Sequence, residues 1–472
     1  MLLKNKNYPL DDVFVKRVSY IAIPMMLQQL ITNSVNLVDN IMVGQLGSYA
    51  IGGVAAANRF FMLGLAAIMG VSNGAAVYLA QFYGGKQYRR VQESFRLSIV
   101  AVMLLILPLV FFSILFPDLI IRFFNKDPGL LAPGREYLPI VGVALIPQCL
   151  SFSMQSAMRA LGDTRRPLQI SIATVLTNVF FNYVLIFGHF GFPRLGVTGA
   201  ALGTLIARLV ELICSILLIC NVKYCFATKV KDLFKIPRIL IREVVKRSLP
   251  LTINELLYGS AMAMLFKLYA TRGTDVMAAM TILGTNSDLF FIIFSGMTAA
   301  TFVLVSQPLG ANELEEARAN GYCMIKFSSL ISLFFAGLMF LSSFVIPEFY
   351  RVAPEIKSMA AILVRISAAF FLIYTVNVQC FYTMRSGGDT KRSMIMDSGY
   401  FWLVNIPAVA MAAYLTDWSI YAVFLVGQFV DVIKMFLALY LVQKEGWVKN
   451  VTVAVDVSDL EEELAEKSKR RL

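Results

Sequence analysis

Long apolar segments separated by short polar loops recur along almost the whole chain of 472 residues. A segment of about 20 apolar residues can cross the roughly 30 Å hydrocarbon core of a membrane as a helix. The pattern predicts an all-α integral membrane protein with twelve such segments. Their predicted bounds are 18–43, 50–80, 92–117, 136–158, 167–188, 196–222, 244–270, 276–306, 317–345, 358–384, 394–415 and 418–442.

The two halves of the chain repeat one another at a constant offset. Residues 158–166 read MRALGDTRR and residues 384–392 read MRSGGDTKR, an offset of 384 − 158 = 226 positions. The same offset relates Gly70 to Gly296. A register held over this length indicates two copies of one unit. Because each copy holds an even number of spans, the copies enter the membrane in the same direction, as parallel repeats about an axis normal to the membrane.

The repeats and the loops define the predicted domain organisation. We expect an N-lobe over residues 1–225, an inter-lobe loop over 226–243, a C-lobe over 244–446 and a tail over 447–472. Lysine and arginine are concentrated in the inter-lobe loop and in the loops on the same side, and such cations mark the cytoplasmic face. Both termini are therefore predicted to be cytoplasmic, in a multi-pass protein of a bacterial cytoplasmic membrane.

Composition supports the membrane assignment. Hydrophobic residues make up 58% of the chain and charged residues 15%, and the mean hydropathy is +0.69. These values lie outside the range of soluble globular proteins. The net charge of +12 does not indicate nucleic acid, because the cations lie in short loops beside the spans, where membrane insertion alone would place them.

Two carboxylates inside the predicted spans are candidate sites of ion coupling. Asp39 lies in the outer part of the first span, and Glu255 lies within the seventh. A carboxylate at the bilayer centre costs about 2.5–3.5 kcal/mol on insertion scales. Desolvation favours the protonated acid and a bound cation favours the carboxylate, so proton and cation would compete for Asp39. The alternatives are a helix end near the headgroups for Asp39 and a structural hydrogen bond for Glu255.

Polar and small residues in the fifth and sixth spans indicate a buried helix contact. Asn178 and Asn182 are one helical turn apart and therefore share a face. Amides within hydrocarbon need hydrogen-bond partners. In the next span, Gly199 and Gly203 are spaced so that another helix can approach closely, and simple packing is the preferred interpretation of these glycines.

Two prolines lie inside spans at matching positions of the two repeats. Pro24 is in the first span and Pro250 in the seventh, and 24 + 226 = 250. A proline within a helix removes a backbone hydrogen bond and permits a kink. We expect kinks at both positions, either as bends used during transport or as tolerated distortions.

Five sequence motifs together resemble one transporter family. They are VDNIMVGQLG closing the first span, MRALGDTRR after the fourth, NVFFNYVLIFG in the fifth, GVTGAALGT opening the sixth and the P-x4-E pattern of the seventh. In combination they resemble the multidrug and toxic compound extrusion family, the MATE transporters, and its NorM/DinF-like members. The resemblance implies two six-helix bundles arranged as a V around a central cavity, with alternating access driven by a proton or sodium gradient.

The resemblance also implies the positions of two sites. An N-lobe site for H⁺ or Na⁺ is implied at Asp39, Asn178, Asn182, Ala200 and Thr204, with Ala200 offering its backbone carbonyl. Some relatives carry a second carboxylate where this chain has Asn182, so the site holds one formal charge and either ion is open.

A second candidate site in the C-lobe is implied at Glu255. NorM-like proteins also carry an aspartate in the tenth span, whereas residues 358–384 contain no acid and offer only Tyr374 and Asn377 nearby. By that standard the C-lobe site is incomplete, and we expect Asp39 to carry the coupling.

The predicted function is secondary active export of amphipathic organic cations or drugs in exchange for H⁺ or Na⁺. Ion loading of Asp39 is expected to weaken the hold on substrate, so that the two ligands exchange. We expect no cofactor besides the coupling ion, small molecules and the lipid bilayer as partners, and a monomer. The physiological substrate, the choice of ion and the dominant lobe stay open.

Three other functions are alternatives to export. An ion channel would need a ring of equivalent ligands, which a two-fold repeat with single acids does not provide. A flippase for lipid-linked precursors would share the two-bundle design, but it would need cationic side chains in its cavity to hold pyrophosphate. An intramembrane enzyme would need a catalytic constellation, and the single histidine, His189, lies in an outer loop. We therefore do not expect an enzyme.

Overall fold

The computed structural model describes residues 8–124, 127–453 and 455, and within these the secondary structure is helical throughout. In chain order the α-helices are α1 Asp12–Gly44, α2 Ser48–Gly84, α3 Tyr88–Leu115, α4 Pro117–Phe124, α5 Leu131–Ala160, α6 Arg165–Phe187, α7 Gly196–Val222, α8 Arg238–Ala270, α9 Thr274–Phe290, α10 Ile292–Gly310, α11 Leu314–Ser342, α12 Pro354–Ser386, α13 Thr390–Met394, α14 Ile406–Leu415 and α15 Ile420–Gln443. Two π-helical segments, Ile395–Gly399 and Phe401–Asn405, join α13 to α14.

Twelve segments of this described part of the chain are long and apolar enough to cross a membrane. The predicted all-α membrane fold is therefore confirmed. Helices α1 and α8 begin at Asp12 and Arg238, six residues before the predicted spans, because a helix can continue into the polar layer where hydropathy no longer marks it. The eighth predicted span consists of α9 and α10, which meet at Phe291.

The described chain forms two compact units, and the first contains most of the first repeat. This N-unit comprises Leu27–Thr252 and the described residues from Thr452. Its core joins buried apolar residues of α2, α3, α5 and α7, such as Ala57, Ile106 and Leu138. Glycines of α2 allow the first part of α8 to pack closely, since a β-carbon on Gly74 would lie 2.0 Å from the hydroxyl oxygen of Ser248.

The second compact unit contains most of the second repeat. This C-unit comprises the described residues up to Met26 together with Ile253–Val451. In its core the first part of α1, with Val18 and Ala22 fully buried, packs against α8, α9 and α10. Gly296 of α10 permits this contact, because a β-carbon there would lie 2.6 Å from the carbonyl oxygen of Ala22.

The division between the units falls at matching places in α1 and α8. It lies between Met26 and Leu27 in α1 and between Thr252 and Ile253 in α8, and 26 + 226 = 252. Each unit therefore takes the first part of the helix that opens the other repeat. The predicted boundaries at 225 and 244 follow the repeats along the chain, whereas the packing units exchange these helix segments.

The two prolines lie just before these divisions. Pro24 lies inside α1 and Pro250 inside α8, and each helix is assigned without interruption through its proline. Each proline stands two residues before the last residue that packs with the opposite repeat's unit. The kinks predicted at both positions stay a prediction.

Candidate functional sites

A carboxylate held by two amides lies in the N-unit. Asp39, in the second part of α1, is partly buried. Asn182 of α6 donates a hydrogen bond from Nδ2 to Asp39 Oδ1 at 2.8 Å. When the Asn178 amide is oriented with its nitrogen toward the carboxylate, it donates to both Asp39 oxygens, at 2.9 and 3.2 Å. These amides take the place of water around the charge, and the structure brings three of the predicted N-lobe residues together.

Helix α7 approaches this cluster closely through its two glycines. A β-carbon on Gly203 would lie 2.1 Å from Asn182 Oδ1. One turn earlier, a β-carbon on Gly199 would lie 2.5 Å from the carbonyl oxygen of Leu185 on α6. The close helix contact expected from this spacing is therefore present, and it fixes the side of the Asn182 amide that faces away from Asp39.

The other two predicted N-lobe residues, Ala200 and Thr204, lie on α7. The Thr204 hydroxyl donates to the Ala200 carbonyl oxygen at 3.0 Å. In the described part of the chain, neither residue hydrogen bonds to Asp39. A neighbour that the sequence did not single out is Tyr137, which is buried within electrostatic range of Asp39 and hydrogen bonds to Asn58.

A buried polar network lies deeper in the N-unit. Gln28 donates to Ser171 at 2.7 Å and to Gln155 at 3.3 Å. Gln155 donates to Glu211 at 2.8 Å. Arg208 forms an ion pair with Glu211 at 2.8 Å. Because Arg208, the cation that acts electrostatically on Asp39, is engaged by Glu211, Asp39 itself has no ion-pair partner among the described residues.

The C-unit contains a cavity of about 270 Å³. Glu255, Tyr374 and Asn377, the predicted second site, all line it. Two further acids, Asp397 and Asp431, also line it, together with Lys434 and seven aromatic side chains. The structure therefore brings the three predicted residues together, in a site that contains more charge than the sequence indicated.

Glu255 is engaged by a buried cation. Arg385 Nη1 lies 3.1 Å from Glu255 Oε1, and only 5% of the arginine side chain is exposed. Such a pair is stabilised by mutual attraction, and removing either charge leaves the other uncompensated. Glu255 is thus already neutralised within the protein, whereas Asp39 has no ion-pair partner among the described residues.

A second ion pair joins two residues that line the cavity. Lys434 of α15 donates to Asp397 Oδ1 at 2.8 Å, and its side chain is 5% exposed. Asp397 lies in the first π-helical segment, where the wider turn changes the direction in which side chains point. Asn254 of α8 forms two hydrogen bonds to this segment. Its amide nitrogen donates to Asp397 Oδ2 at 3.2 Å, and its amide oxygen accepts from the Ser398 backbone N–H at 3.3 Å.

Asp431 is the third acid of the cavity. Asn405, at the end of the second π-helical segment, donates to Asp431 Oδ1 at 3.2 Å. Asn377 donates to the Asp431 backbone carbonyl at 3.0 Å. Among the described residues Asp431 forms no ion pair, since Lys434 is bonded to Asp397.

Four charged residues that belong to the two sites and to the polar network were missed by the sequence-based predictions: Glu211, Asp397, Asp431 and Lys434. The available signal was their presence within apolar segments, where charge is costly and usually functional. Asp431 and Lys434 are also three residues apart on one helix, a spacing that places an acid and a base on the same helix face and so indicates a polar site there. The ion pair between Lys434 and Asp397 could not be predicted from spacing, because these residues lie on different helical segments.

A duplicated twelve-span fold with buried ionisable groups in both units is the architecture of a membrane transporter. The chain matches the MatE family over residues 24–184 and 250–411, one match in each repeat. The chain belongs to this family. The resemblance drawn from the sequence motifs is therefore confirmed.

Curated relatives and solved structures agree with this assignment. The chain is 24% identical over 427 residues to the probable multidrug resistance protein NorM of Thermotoga maritima, covering 87% of this chain and 89% of that protein. It is 23% identical to the uncharacterized transporter YisQ of Bacillus subtilis, covering 78% and 81%. A crystal structure of MATE in the bent conformation superimposes with a TM-score of 0.84 at 17% identity, covering 94% and 97% of the two chains. This last likeness concerns the fold alone.

Proposed function

We propose that this protein is a multidrug efflux transporter that exports amphipathic organic cations in exchange for H⁺ or Na⁺, with Asp39 as the coupling acid. The observation that supports this role is the setting of Asp39: a carboxylate within a membrane helix, held by the amides of Asn182 and Asn178 and unpaired among the described residues. An exchanging ion needs an acid that no resident cation occupies.

The amides suit either ion. An asparagine side chain offers a nitrogen donor and an oxygen acceptor, and rotation of the amide exchanges them. The observed orientation, with nitrogen toward Asp39, stabilises the charged acid. The Oδ1 atom of Asn182 faces α7 and is buried without a hydrogen-bond partner in the described structure, so a rotation of the amide that turned this oxygen toward a protonated Asp39 or a bound Na⁺ would break no hydrogen bond of the oxygen.

The charge balance determines which gradient drives export. Exchange of one monovalent organic cation for one H⁺ or Na⁺ moves no net charge, so the ion's concentration gradient supplies the free energy. A tenfold gradient is worth about 1.4 kcal/mol at 25 °C. A neutral substrate would instead gain about 2.3 kcal/mol per ion from a 100 mV potential, roughly a 50-fold concentration.

Export of cations is preferred to flipping of lipid-linked pyrophosphates because of the charges around the C-unit cavity. Within the described residues its lysine is bonded to Asp397, and the neighbouring Arg385 is bonded to Glu255. Cations that are already paired are poorly suited to bind pyrophosphate. We place the protein in the cytoplasmic membrane with both termini inside, as the loop charges predict, and we retain the monomer as our expectation.

The coupling role is tested by transport in proteoliposomes. The wild type, Asp39→Asn and Glu255→Gln are compared for ethidium export driven by an imposed pH gradient or an imposed Na⁺ gradient. We expect Asp39→Asn to lose gradient-driven export, because the amide cannot exchange a proton or hold a cation by charge. Glu255→Gln should retain more of it, because Glu255 is paired with Arg385 and not with an exchanging ion, and unfolding of the same variant by SDS identifies any loss that is caused by the unpaired arginine.

A matched control removes an acid outside the membrane helices. Asp417→Asn makes the same chemical change at an exposed loop position and should export at the wild-type rate. Intact export by Asp39→Asn together with lost export by Glu255→Gln would reverse the assignment of the coupling acid. A wild type that exports under neither gradient would overturn the proposed function itself.

A further inference from the structure

We propose that the C-unit cavity is a binding site for aromatic organic cations, with Asp431 as its anionic anchor. This inference rests on the proposed export function and assigns the cargo to a site separate from Asp39. The cavity is about 270 Å³ in volume, far larger than a single coupling ion requires. Its charge, its walls and one unpaired polar atom each point to a cationic organic ligand.

The first argument is the balance of charge. Three carboxylates line the cavity, those of Glu255, Asp397 and Asp431. Arg385 neutralises the first at 3.1 Å, and Lys434 neutralises the second at 2.8 Å. The Lys434 ammonium is also held against the Phe401 ring, 4.2 Å from its centroid, so it is fixed in its pairing with Asp397. The paired charges cancel, and one negative charge remains to attract a cation.

The second argument is the aromatic wall. Phe291 and Tyr374 stack with their rings 4.9 Å apart and 4° from parallel. Phe294 packs at 5.3 Å from the same tyrosine, and Tyr258 meets Phe401 edge to face at 5.6 Å. Aromatic faces attract organic cations, and more strongly where water is excluded. They also provide flat apolar surface for an aromatic cargo.

The third argument is an acceptor atom without a protein partner. Asn377 lines the cavity, is 4% exposed and donates from its amide nitrogen to the Asp431 backbone carbonyl. Its Oδ1 atom is buried and makes no hydrogen bond in the described structure. An unpaired buried acceptor is costly, so a ligand that supplies an N–H donor there would recover that cost. Asp431 and Asn377 together fit a cation that carries amino groups.

Ethidium is a suitable probe because it combines a delocalised positive charge, a flat aromatic core and two amino groups. Its affinity is measured by fluorescence with the purified full-length protein in detergent, without any ion gradient. We expect Asp431→Asn to raise the ethidium Kd about tenfold, since close charge pairs contribute at least that much at buried sites. The Kd of 6-phenylphenanthridine, a neutral aromatic analogue, should stay within about twofold of its wild-type value.

Substitutions at Tyr374, in the aromatic wall, distinguish the contribution of the aromatic ring to ethidium affinity from that of side-chain size. Tyr374→Leu should raise the ethidium Kd about fivefold, and Tyr374→Phe should retain more affinity than Tyr374→Leu because it keeps the ring face. Asp417→Asn, in an exposed loop, should bind ethidium as the wild type does. Thermal unfolding in the same detergent verifies that each variant is folded.

The outcomes separate this inference from the proposed function. Wild-type export in proteoliposomes combined with unchanged ethidium affinity in Asp431→Asn would overturn the C-unit site and leave ion-coupled export intact. Equal loss of affinity for ethidium and for the neutral analogue would also overturn it, because a structural defect does not select for charge. Charge-selective loss in Asp431→Asn, with the rank order at Tyr374, supports the site.

Discussion

Asp39 of the N-unit and two of the three acids that line the C-unit cavity are held in opposite ways. Asp39 is bound by two neutral amides, at 2.8 Å from Asn182 and at 2.9 Å from Asn178 in its donating orientation. In the C-unit, Glu255 and Asp397 are bound by buried cations. A neutral amide can release an acid to a proton or a metal ion at low cost, whereas a buried cation cannot leave without stranding a charge. The comparison separates an acid that is held by neutral amides from two acids that have cationic partners.

One loop has the same geometry in both repeats, whereas the acids of the two sites have no acidic counterparts. The repeated motif contains the sequence Gly-Asp-Thr at 162–164 and again at 388–390, and we call these segments the GDT loops. In both loops the glycine has a positive φ, 88° at Gly162 and 77° at Gly388. In both, the N–H of the following aspartate, Asp163 or Asp389, donates to a methionine carbonyl at 3.0 Å. Under the 226-residue offset, by contrast, the acids Asp39 and Asp431 both correspond to leucines, at positions 39 + 226 = 265 and 431 − 226 = 205. The two copies therefore share the geometry of this turn but not the positions of these acids.

The largest expected effect comes from breaking a C-unit ion pair. Lys434→Met should destabilise the protein by about 3–5 kcal/mol, because it leaves Asp397 without its buried partner. Unfolding by SDS titration measures the change. The double variant with Asp397→Leu should recover most of the loss, because it removes both charges.

The contrast with the N-unit provides the control for that experiment. Asp39→Asn should change stability by less than about 1 kcal/mol, because no ion pair is broken and neutral hydrogen bonds can re-form. If Asp39→Asn is as damaging as Lys434→Met, the distinction between exchangeable and structural acids does not hold.

A smaller effect is expected from the helix contact behind Asn182. Gly203→Ala places a β-carbon 2.1 Å from Asn182 Oδ1, so the amide or the helix must shift. Overpacking of this kind costs about 1–3 kcal/mol, and we expect gradient-driven ethidium export to fall with it. Gly337→Ala on α11 is the matched control, since nothing lies within 4 Å of its added β-carbon. Wild-type export by Gly203→Ala would show that the Asn182 geometry is not needed for coupling.

The smallest effect is expected from substitutions in the two GDT loops, which test whether both turns contribute equally to stability. Gly162→Ala and Gly388→Ala each force an alanine into a left-handed backbone conformation. This should cost roughly 1–2 kcal/mol in each variant, measured by the same SDS titration. Similar losses are expected, since the two turns share their hydrogen bonds. A difference larger than about 1 kcal/mol would show that the two turns are no longer equivalent.

The site could be predicted from the sequence only where its residues are local or match a family motif. Asn178 and Asn182 were predictable as a pair because one helical turn puts them on one face. The bond from Asn182 to Asp39 joins helices whose bonded residues are 143 positions apart in sequence. The π-helical segments that carry Asp397 and Asn405 had no recognisable signal, because a π turn depends on packing and on the hydrogen bonds supplied by Asn254.

The sequence by itself determined the class of fold: apolar length and a constant offset are one-dimensional properties, and they establish twelve spans in two repeats. Only the tertiary structure decided which charges neutralise one another and that Asp39 and Asp431 form no ion pair among the described residues. It also decided that the opening segments of α1 and α8 pack with the opposite repeat's unit. The physical reason is that the apolar length of a helix is a property of one continuous segment of sequence. The partner of a buried charge such as that of Lys434, by contrast, lies on another helix and comes into contact with it only after the helices have packed.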